Sequence, residues 1–136
     1  MGTKLWRGCV VRESTILHRC LLALSEAGHL AWRCNTGQGW TGQSIHAATT
    51  MHVTMQPGDV LIRNARPLRA GLCVGGSDIV GIGPGGRFYG VETKTKTGKL
   101  TPEQKSFGDA VVRAGGIYGV ARSEDEVVGI LKASPG

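Results

Sequence analysis

The turn signal Pro84-Gly85-Gly86, which separates two short strand-like segments, constrains the fold of this chain more than any other feature. Residues 79–83 precede the turn and residues 87–95 follow it, and such a pair around a proline–glycine turn is typical of a β-hairpin. We therefore predict a hairpin around which the rest of the chain is organised.

The polar side chains of this hairpin are positioned to meet at one end. Asp78 stands at the head of the first strand, and Glu92 and Lys94 lie two positions apart in the second. Because residues i and i+2 of a strand share a face, Glu92 and Lys94 point to one side and Thr93 to the other. Asp78 can then lie across from Glu92. Two carboxylates and an ammonium group in one place suit a divalent-metal site for phosphodiester cleavage.

A well-marked helix follows the hairpin. Thr101 takes the N-cap position, Pro102 the first helical position and Gln104 the third, which completes a capping box. The pattern predicts a helix from there to about Ala114, with an inner face formed by Phe107, Ala110, Val111 and Ala114. Gln104 has two interpretations, since it can cap the helix or reach the neighbouring site.

The two ends of the chain also predict regular elements. Apolar residues at helical spacing predict a first helix over residues 12–27. Residues 117–121 predict a buried strand, and Ser123 opens a last helix with a second capping box. Glu13, in the first turn of the first helix, either complements the helix macrodipole or supplies a third carboxylate to the metal site.

The middle of the chain is harder to assign. Residues 29–35 alternate as a short strand, and the polar, glycine-rich residues 35–43 predict a long loop. Residues 44–56 show no clean periodicity and form either a strand or an insertion at the edge of the domain. Polar residues of the first two segments either contact phosphates and base edges or are ordinary solvated residues: Arg33, Asn35, Thr36 and Gln38.

A basic segment comes next. The apolar residues 60–62 lead into Arg63, Arg66 and Arg69, which recur at a spacing of three. Pro67 argues against a helix, so we predict a strand that continues into an extended segment. The three arginines form either a phosphate-contacting strip or a solvated face.

Composition limits the partners. The chain has 136 residues and a net charge of +6, which fits one domain over residues 1–136 with an anionic partner, nucleic acid first. The alternative is a soluble basic protein without such a partner. No pair of cysteines has CxxC spacing and no ligand spacing supports a zinc site. No segment predicts a signal peptide or a membrane span, so we expect no membrane partner and a reducing cytoplasm.

One apparent nucleotide motif is excluded. Gly98-Lys99 invites comparison with a Walker A loop, but Leu100 stands where Ser or Thr is needed and Thr93 stands where the first glycine belongs. The sequence therefore predicts no nucleotide cofactor.

The element order predicts an α/β domain: a helix, three strands, a helix and a strand around a small mixed sheet, plus a C-terminal helix. With Asp and then Glu-x-Lys on the hairpin, this order resembles the PD-(D/E)xK nuclease superfamily and its restriction-endonuclease-like core. In detail the chain is similar to the virus-type replication-repair nuclease (VRR-NUC) domain, in the stand-alone form typical of phages. The matching pieces are Glu13 and residues 32–37, 76–81, 85–88, 92–94, 97–104 and 114–116.

The match leaves out roughly residues 40–69 and has two departures. Ser77 stands where the superfamily name puts proline, and Thr93 stands where an aliphatic residue is more usual. Because the Thr93 side chain is predicted to face away from the site, we expect this departure to change packing and not chemistry.

The resemblance implies a complete catalytic site. Asp78 and Glu92 would bind Mg²⁺ or Mn²⁺ together with the backbone carbonyl of Thr93, and Lys94 would orient the attacking water. Glu13 would complete the metal site, directly or through water. Gln104 would support Lys94 or the phosphate.

The resemblance also implies a substrate. It predicts a metal-dependent endonuclease that acts as a homodimer on branched DNA such as Holliday junctions, in the cytoplasm of a bacterial host. Simpler duplex or flap DNA remains an alternative substrate, and a non-catalytic DNA-binding module remains an alternative function. The predicted DNA-binding residues are Arg33, Asn35, Arg87, Lys96 and Lys99.

Overall fold

The computed structural model describes residues 12–43 and 48–133, which form a mixed α/β fold with three helices. A short 3-10 turn, Pro84–Gly86, joins the two strands of the predicted hairpin. The elements are α1 Glu13–Glu26, β1 Leu30–Arg33, β2 Gly37–Gln43, β3 Arg63–Ala70, β4 Ile79–Ile82, β5 Phe88–Thr93, α2 Pro102–Arg113, β6 Ile117–Ala121 and α3 Glu124–Lys132. The predicted α/β class and C-terminal helix are confirmed.

The main sheet has four strands in the order β1-β4-β5-β6. β1 pairs antiparallel with β4, and β4 with β5, whereas β6 runs parallel to β5. The predicted hairpin and the small mixed sheet are therefore confirmed. Helix α2 provides the crossover that a parallel pair of strands requires.

The hydrophobic core lies between the sheet and the helices α1 and α3. Its strand residues include Tyr89 and Val91, and its helix residues include Leu24 and Leu131. Successive strand residues face opposite sides, so Gly90 lies on the other face, where a Cβ would meet the ring of Phe107 in α2 at 3.6 Å. The helices thus cover both faces of the sheet.

Helix α2 begins as predicted. The Thr101 hydroxyl accepts from the Gln104 backbone N–H, and the Gln104 side chain accepts from the Thr101 N–H, which completes the capping box. The predicted inner face is partly wrong: Val111 is buried, but Ala110 and Ala114 are exposed. The small Gly108 is buried instead, because the helix lies directly against the Tyr118 ring.

Helix α3 lacks the second half of its predicted capping box. The Ser123 hydroxyl accepts from the Glu126 N–H, as expected. The Glu126 carboxylate, however, accepts from the backbone N–H of Arg122 at 2.8 Å, one residue before the cap.

Strands β2 and β3 form a separate antiparallel ribbon, and the predicted loop over residues 35–43 is wrong from Gly37 onward. Every residue of both strands is exposed, so no burial pattern marks them in the sequence. The extended basic segment is confirmed as β3, but residues 60–62 lie before the paired region. Of the unassigned segment, residues 44–47 are outside the described part, and residues 48–56 form neither helix nor strand.

No helix within the described ranges has the length and apolar character needed to cross a membrane.

Candidate metal centre

Three carboxylates converge where the central hairpin meets the first helix. Strand pairing matches Ile79 with Val91, which places Asp78 and Glu92 at the same end of the hairpin. Glu13 opens α1, and one carboxylate oxygen from each of the three acidic residues lies within 4.8 Å of the others. The predicted meeting of Asp78 and Glu92 is confirmed, and Glu13 joins them.

Glu92 is the buried member of the group, with 2 % of its surface exposed. Its Oε1 accepts a hydrogen bond from Gln104 Nε2, whereas Oε2 is buried and has no hydrogen-bond partner among the described residues. Burial, followed by the nearby Asp78 carboxylate, raises the pKa of Glu92 to about 7, although Lys94 acts in the opposite direction. A buried carboxylate oxygen without a donor is costly unless a cation or a proton satisfies it.

Asp78 is oriented by Thr93, which corrects one expectation. Asp78 Oδ2 accepts from both the backbone N–H and the hydroxyl of Thr93, each at 2.9 Å. The Thr93 side chain therefore does not face away from the site. Asp78 lies just before β4, so its side chain is not confined to one face of the pleated strand and reaches the end of β5. The metal contact through the Thr93 carbonyl stays a prediction.

Lys94 is held between two of the carboxylates. Its Nζ lies 3.3 Å from Glu92 Oε1 and 3.6 Å from Glu13 Oε1, and 11 % of its side chain is exposed. Its backbone N–H donates to Ala121 O at 3.0 Å, which extends the β5–β6 pairing by one residue. The predicted convergence of an ammonium group with the carboxylates is confirmed.

Both interpretations of Gln104 are correct. Its Oε1 accepts from the Thr101 N–H at 2.9 Å and caps α2, while its Nε2 donates to Glu92 Oε1. The side chain contacts Glu92, where the resemblance implied Lys94 or the phosphate. The Tyr118 hydroxyl donates to Gln104 O at 3.2 Å and so ties this helix start to β6.

This donor set fits a hard divalent cation. All three side chains offer carboxylate oxygen, the ligand type that Mg²⁺ and Mn²⁺ prefer. The unpartnered Glu92 Oε2 is the atom that a cation would satisfy most directly. Glu13, Asp78 and Glu92 could therefore hold such an ion, with Thr93 and Gln104 orienting two of the three carboxylates.

Two predicted DNA-binding lysines lie beside the centre. Lys96 and Lys99 are exposed in the turn that follows Lys94 and leads to α2. Arg122 Nη1 donates to Gly98 O at 2.9 Å and also to Thr95 O, so the turn is tied to the end of β6.

Arg33 and Asn35 lie on the other side of Asp78. Both are exposed, and the intervening Cys34 N–H donates to Asp78 O at 2.7 Å. The structure therefore brings both residues next to the metal centre.

Arg87 is not part of this cluster. It precedes β5, whereas the centre lies where β5 ends, about 20 Å away along the strand. Its guanidinium donates to Gly115 O at 2.8 Å and to Gly116 O at 3.4 Å, and so binds the carbonyls that follow α2. DNA binding by Arg87 stays a prediction.

Ser77 is a buried residue of the site that the motif alone did not explain. It is fully buried, and its Oγ has no hydrogen-bond partner in the described part of the chain. A Cβ on Gly90 would lie 2.5 Å from this Oγ, so the strand has no room for a side chain there. A glycine inside a strand indicates such a close approach, and Gly90 was the available signal. No comparable signal in the sequence indicated that Arg122 and Tyr118 would contact the segments beside the site.

Comparisons of the chain with protein-family models, with curated proteins and with solved structures give no match.

Proposed function

We propose that this protein is a metal-dependent endonuclease that hydrolyses phosphodiester bonds in DNA. One observation carries the proposal: within the described residues, the buried Glu92 has one oxygen without a hydrogen-bond partner inside a three-carboxylate group, and the Lys94 ammonium lies 3.3 Å from its other oxygen. The resemblance to the VRR-NUC domain of the PD-(D/E)xK superfamily supports the same chemistry, since Asp78, Glu92 and Lys94 are its motif residues.

Mg²⁺ or Mn²⁺ held by Glu13, Asp78 and Glu92 would supply charge stabilisation at the scissile phosphate and make a coordinated water more acidic. The Lys94 ammonium has three donors. Glu92 and Glu13 fix its position, and its remaining donor capacity can orient the attacking water or a phosphate oxygen. Its removal should therefore affect the chemical step more than metal binding.

The exposed basic residues around the centre, together with the amide of Asn35, would hold the DNA backbone. Lys96 and Lys99 on one side, and Arg33 and Asn35 on the other, are exposed and would contact phosphates next to the cut. A homodimer with two symmetric centres would suit a branched substrate such as a Holliday junction, because each centre could cut one strand.

The test is cleavage of a labelled four-way junction beside linear duplex and flap DNA, with Mg²⁺, with Mn²⁺ and with EDTA. The wild type is compared with Lys94→Ala and with Lys132→Ala, which removes the same charge from an exposed residue at the end of α3. We expect metal-dependent cutting that Lys94→Ala abolishes and Lys132→Ala retains. The ranking of substrates then separates junction from duplex. Tight binding without cutting in either metal would refute the enzyme and favour the non-catalytic DNA-binding module.

A further inference from the structure

The β2–β3 ribbon is the largest regular feature that the metal centre does not explain. All seven residues of β2 and all eight of β3 are exposed, and the apolar side chains of Trp40 and Leu68 are 64 % and 47 % exposed. A two-stranded ribbon without a covered face is marginally stable in water. Such a ribbon gains stability when a partner covers it.

The charge of the ribbon points to the chemistry of that partner. β2 has no charged residue, and β3 carries Arg63, Arg66 and Arg69 with no acidic residue. Asp59 is the one acidic residue in the sequence between Glu26 and Asp78. The ribbon therefore favours a polyanion. Two copies of it packed against each other would place arginines beside arginines.

A bulge distributes the arginines over the two faces. Thr41 pairs with Arg66 and Gln43 with Arg63, so two steps along β2 match three steps along β3. Asn64, which lies within this bulge, has a φ of 51°. Because directly paired residues share a face, Arg63 and Arg66 lie on the same face despite their odd spacing. Both faces carry charge, since Arg69 lies on the opposite face.

That opposite face also carries an aromatic ring. Trp40 pairs with Pro67, and Gln38 pairs with Arg69. Residues two apart in a strand share a face, so the Trp40 indole and the Arg69 guanidinium lie on the same side of the ribbon. An apolar and a cationic group side by side can contact a base edge and a phosphate together.

The base of the ribbon is attached to the metal centre. β2 starts three residues after Cys34, whose N–H donates to Asp78 O. β3 ends at Ala70, and a Cβ on the next residue, Gly71, would lie 2.6 Å from Thr36 Cα, so the two strands converge there. From this base the eight residues of β3 extend for about 23 Å at 3.3 Å per residue.

These dimensions match the major groove of B-form DNA. The groove is about 12 Å wide and admits a two-stranded β-ribbon. A length of about 23 Å spans about seven base pairs at 3.4 Å each. The major groove of double-stranded RNA is too deep and narrow for side chains to read, so the shape selects DNA.

We propose that the β2–β3 ribbon lies in the major groove of duplex DNA next to the metal centre, with Arg63, Arg66 and Arg69 contacting phosphates on both sides of the groove. This inference deepens the proposed function, on which it rests for its role, because it names the part of the substrate that the enzyme grips beyond the cut. Binding and cutting are measured separately in the test.

The first measurement is the salt dependence of binding to a labelled DNA duplex in EDTA, where no cutting occurs. The ribbon variant carries Arg63→Ala, Arg66→Ala and Arg69→Ala. The control variant carries Arg19→Ala, Arg113→Ala and Lys132→Ala, which remove the same charge from exposed helix positions. We expect the ribbon variant to lower the slope of log K against log salt by about 2.7, at 0.9 per lost phosphate contact. On a fourfold dilution of salt, the ribbon variant should then gain about 40-fold less affinity than the wild type gains. The slope of the control variant should differ from that of the wild type by less than about 0.9, the value for one phosphate contact.

The second measurement varies the length of the duplex. The wild type and the ribbon variant should have more nearly equal affinities for duplexes that extend less than about seven base pairs beyond the metal centre. The ribbon then extends past the end of the groove. Double-stranded RNA of equal length should compete less well than DNA, and far-ultraviolet circular dichroism checks that each variant is folded.

Equal salt slopes for the ribbon and control variants would overturn the inference. So would a ribbon variant that binds DNA normally but changes its sedimentation from dimer to monomer, since the ribbon would then cover a second copy of the chain. Ribbon-dependent binding without metal-dependent cutting would refute the proposed function and leave the ribbon inference standing. Normal cutting and binding by the ribbon variant would refute the ribbon inference and leave the proposed function standing.

Discussion

Substitution of Glu92 by glutamine should raise the stability of the metal-free protein relative to the wild type as the pH rises, although it removes a central residue of the site. Burial and Asp78 raise the pKa of Glu92 from 4.5 to about 7. At about 1.4 kcal/mol per pKa unit, the folded state pays up to about 3 kcal/mol to keep this carboxylate ionised.

The sign follows from the direction of the shift. The pKa of Glu92 in the folded state lies above its unfolded value. Its contribution to the free energy of unfolding is therefore complete below about pH 4.5 and is lost as the pH rises through about 7. Between pH 5 and pH 8 the wild type should lose about 2 kcal/mol of unfolding free energy relative to Glu92→Gln. The new amide also leaves a buried group unpaired, at about 1–3 kcal/mol, but this cost does not vary with pH.

Urea unfolding in EDTA at several pH values, followed by circular dichroism, measures this difference. Glu26→Gln makes the same chemical change at an exposed residue near the end of α1 and serves as the control. Adding Mg²⁺ or Mn²⁺ at pH 8 should stabilise the wild type and leave Glu92→Gln almost unchanged. A difference between Glu92→Gln and wild type that stays constant from pH 5 to pH 8 would refute the reasoning.

Three further substitutions, two of them with a matched control substitution, test the supporting contacts. Thr93→Val removes the hydroxyl that donates to Asp78 and should raise the Mg²⁺ concentration for half-maximal thermal stabilisation about tenfold, whereas Thr93→Ser should not. Equal midpoints for the two variants would contradict a role of this hydroxyl in orienting Asp78. Gln104→Ala removes half of the capping box and should lower the unfolding free energy in urea by about 1–2 kcal/mol, and an unchanged midpoint would show that the cap contributes nothing. Gly90→Ala brings a methyl group against Ser77 in the buried strand and should lower the unfolding free energy by about 1–3 kcal/mol. At Gly129 a Cβ meets nothing within 4 Å, so Gly129→Ala should raise the unfolding free energy by about 1 kcal/mol, and similar effects of the two would refute the packing argument.

The elements with local signals were predictable from the sequence. The Pro84–Gly86 turn lies between the two central strands as expected, and the Thr101 capping box starts α2 at the expected residue. Both signals act within a few residues, through backbone conformation and side-chain hydrogen bonds, so they do not depend on the rest of the fold. The meeting of Asp78 and Glu92 was predictable for the same reason, because a hairpin register follows from its turn.

The ribbon as a whole could not be predicted, although the extended basic segment of β3 was, because its strands bury nothing. Sequence patterns indicate strands mainly through the alternation of buried and exposed side chains, and β2 has no such alternation. Its pairing with β3 depends on backbone hydrogen bonds between residues at least 20 positions apart. The orientation of Thr93 was missed for a different reason: the alternation rule holds inside a strand, whereas the side chain of Asp78 reaches Thr93 from just outside one.

The shared amide of Gln104 makes the start of α2 an indicator of the state of the metal centre. One end of this side chain holds the Thr101 N–H and the other holds Glu92, so a change at the carboxylate alters the geometry of the cap. By thermodynamic reciprocity, an ion that binds the carboxylate more tightly when the helix start is closed must disfavour opening of the helix start by the same free energy. Amide hydrogen exchange in the first turn of α2 would then report metal occupancy without any substrate.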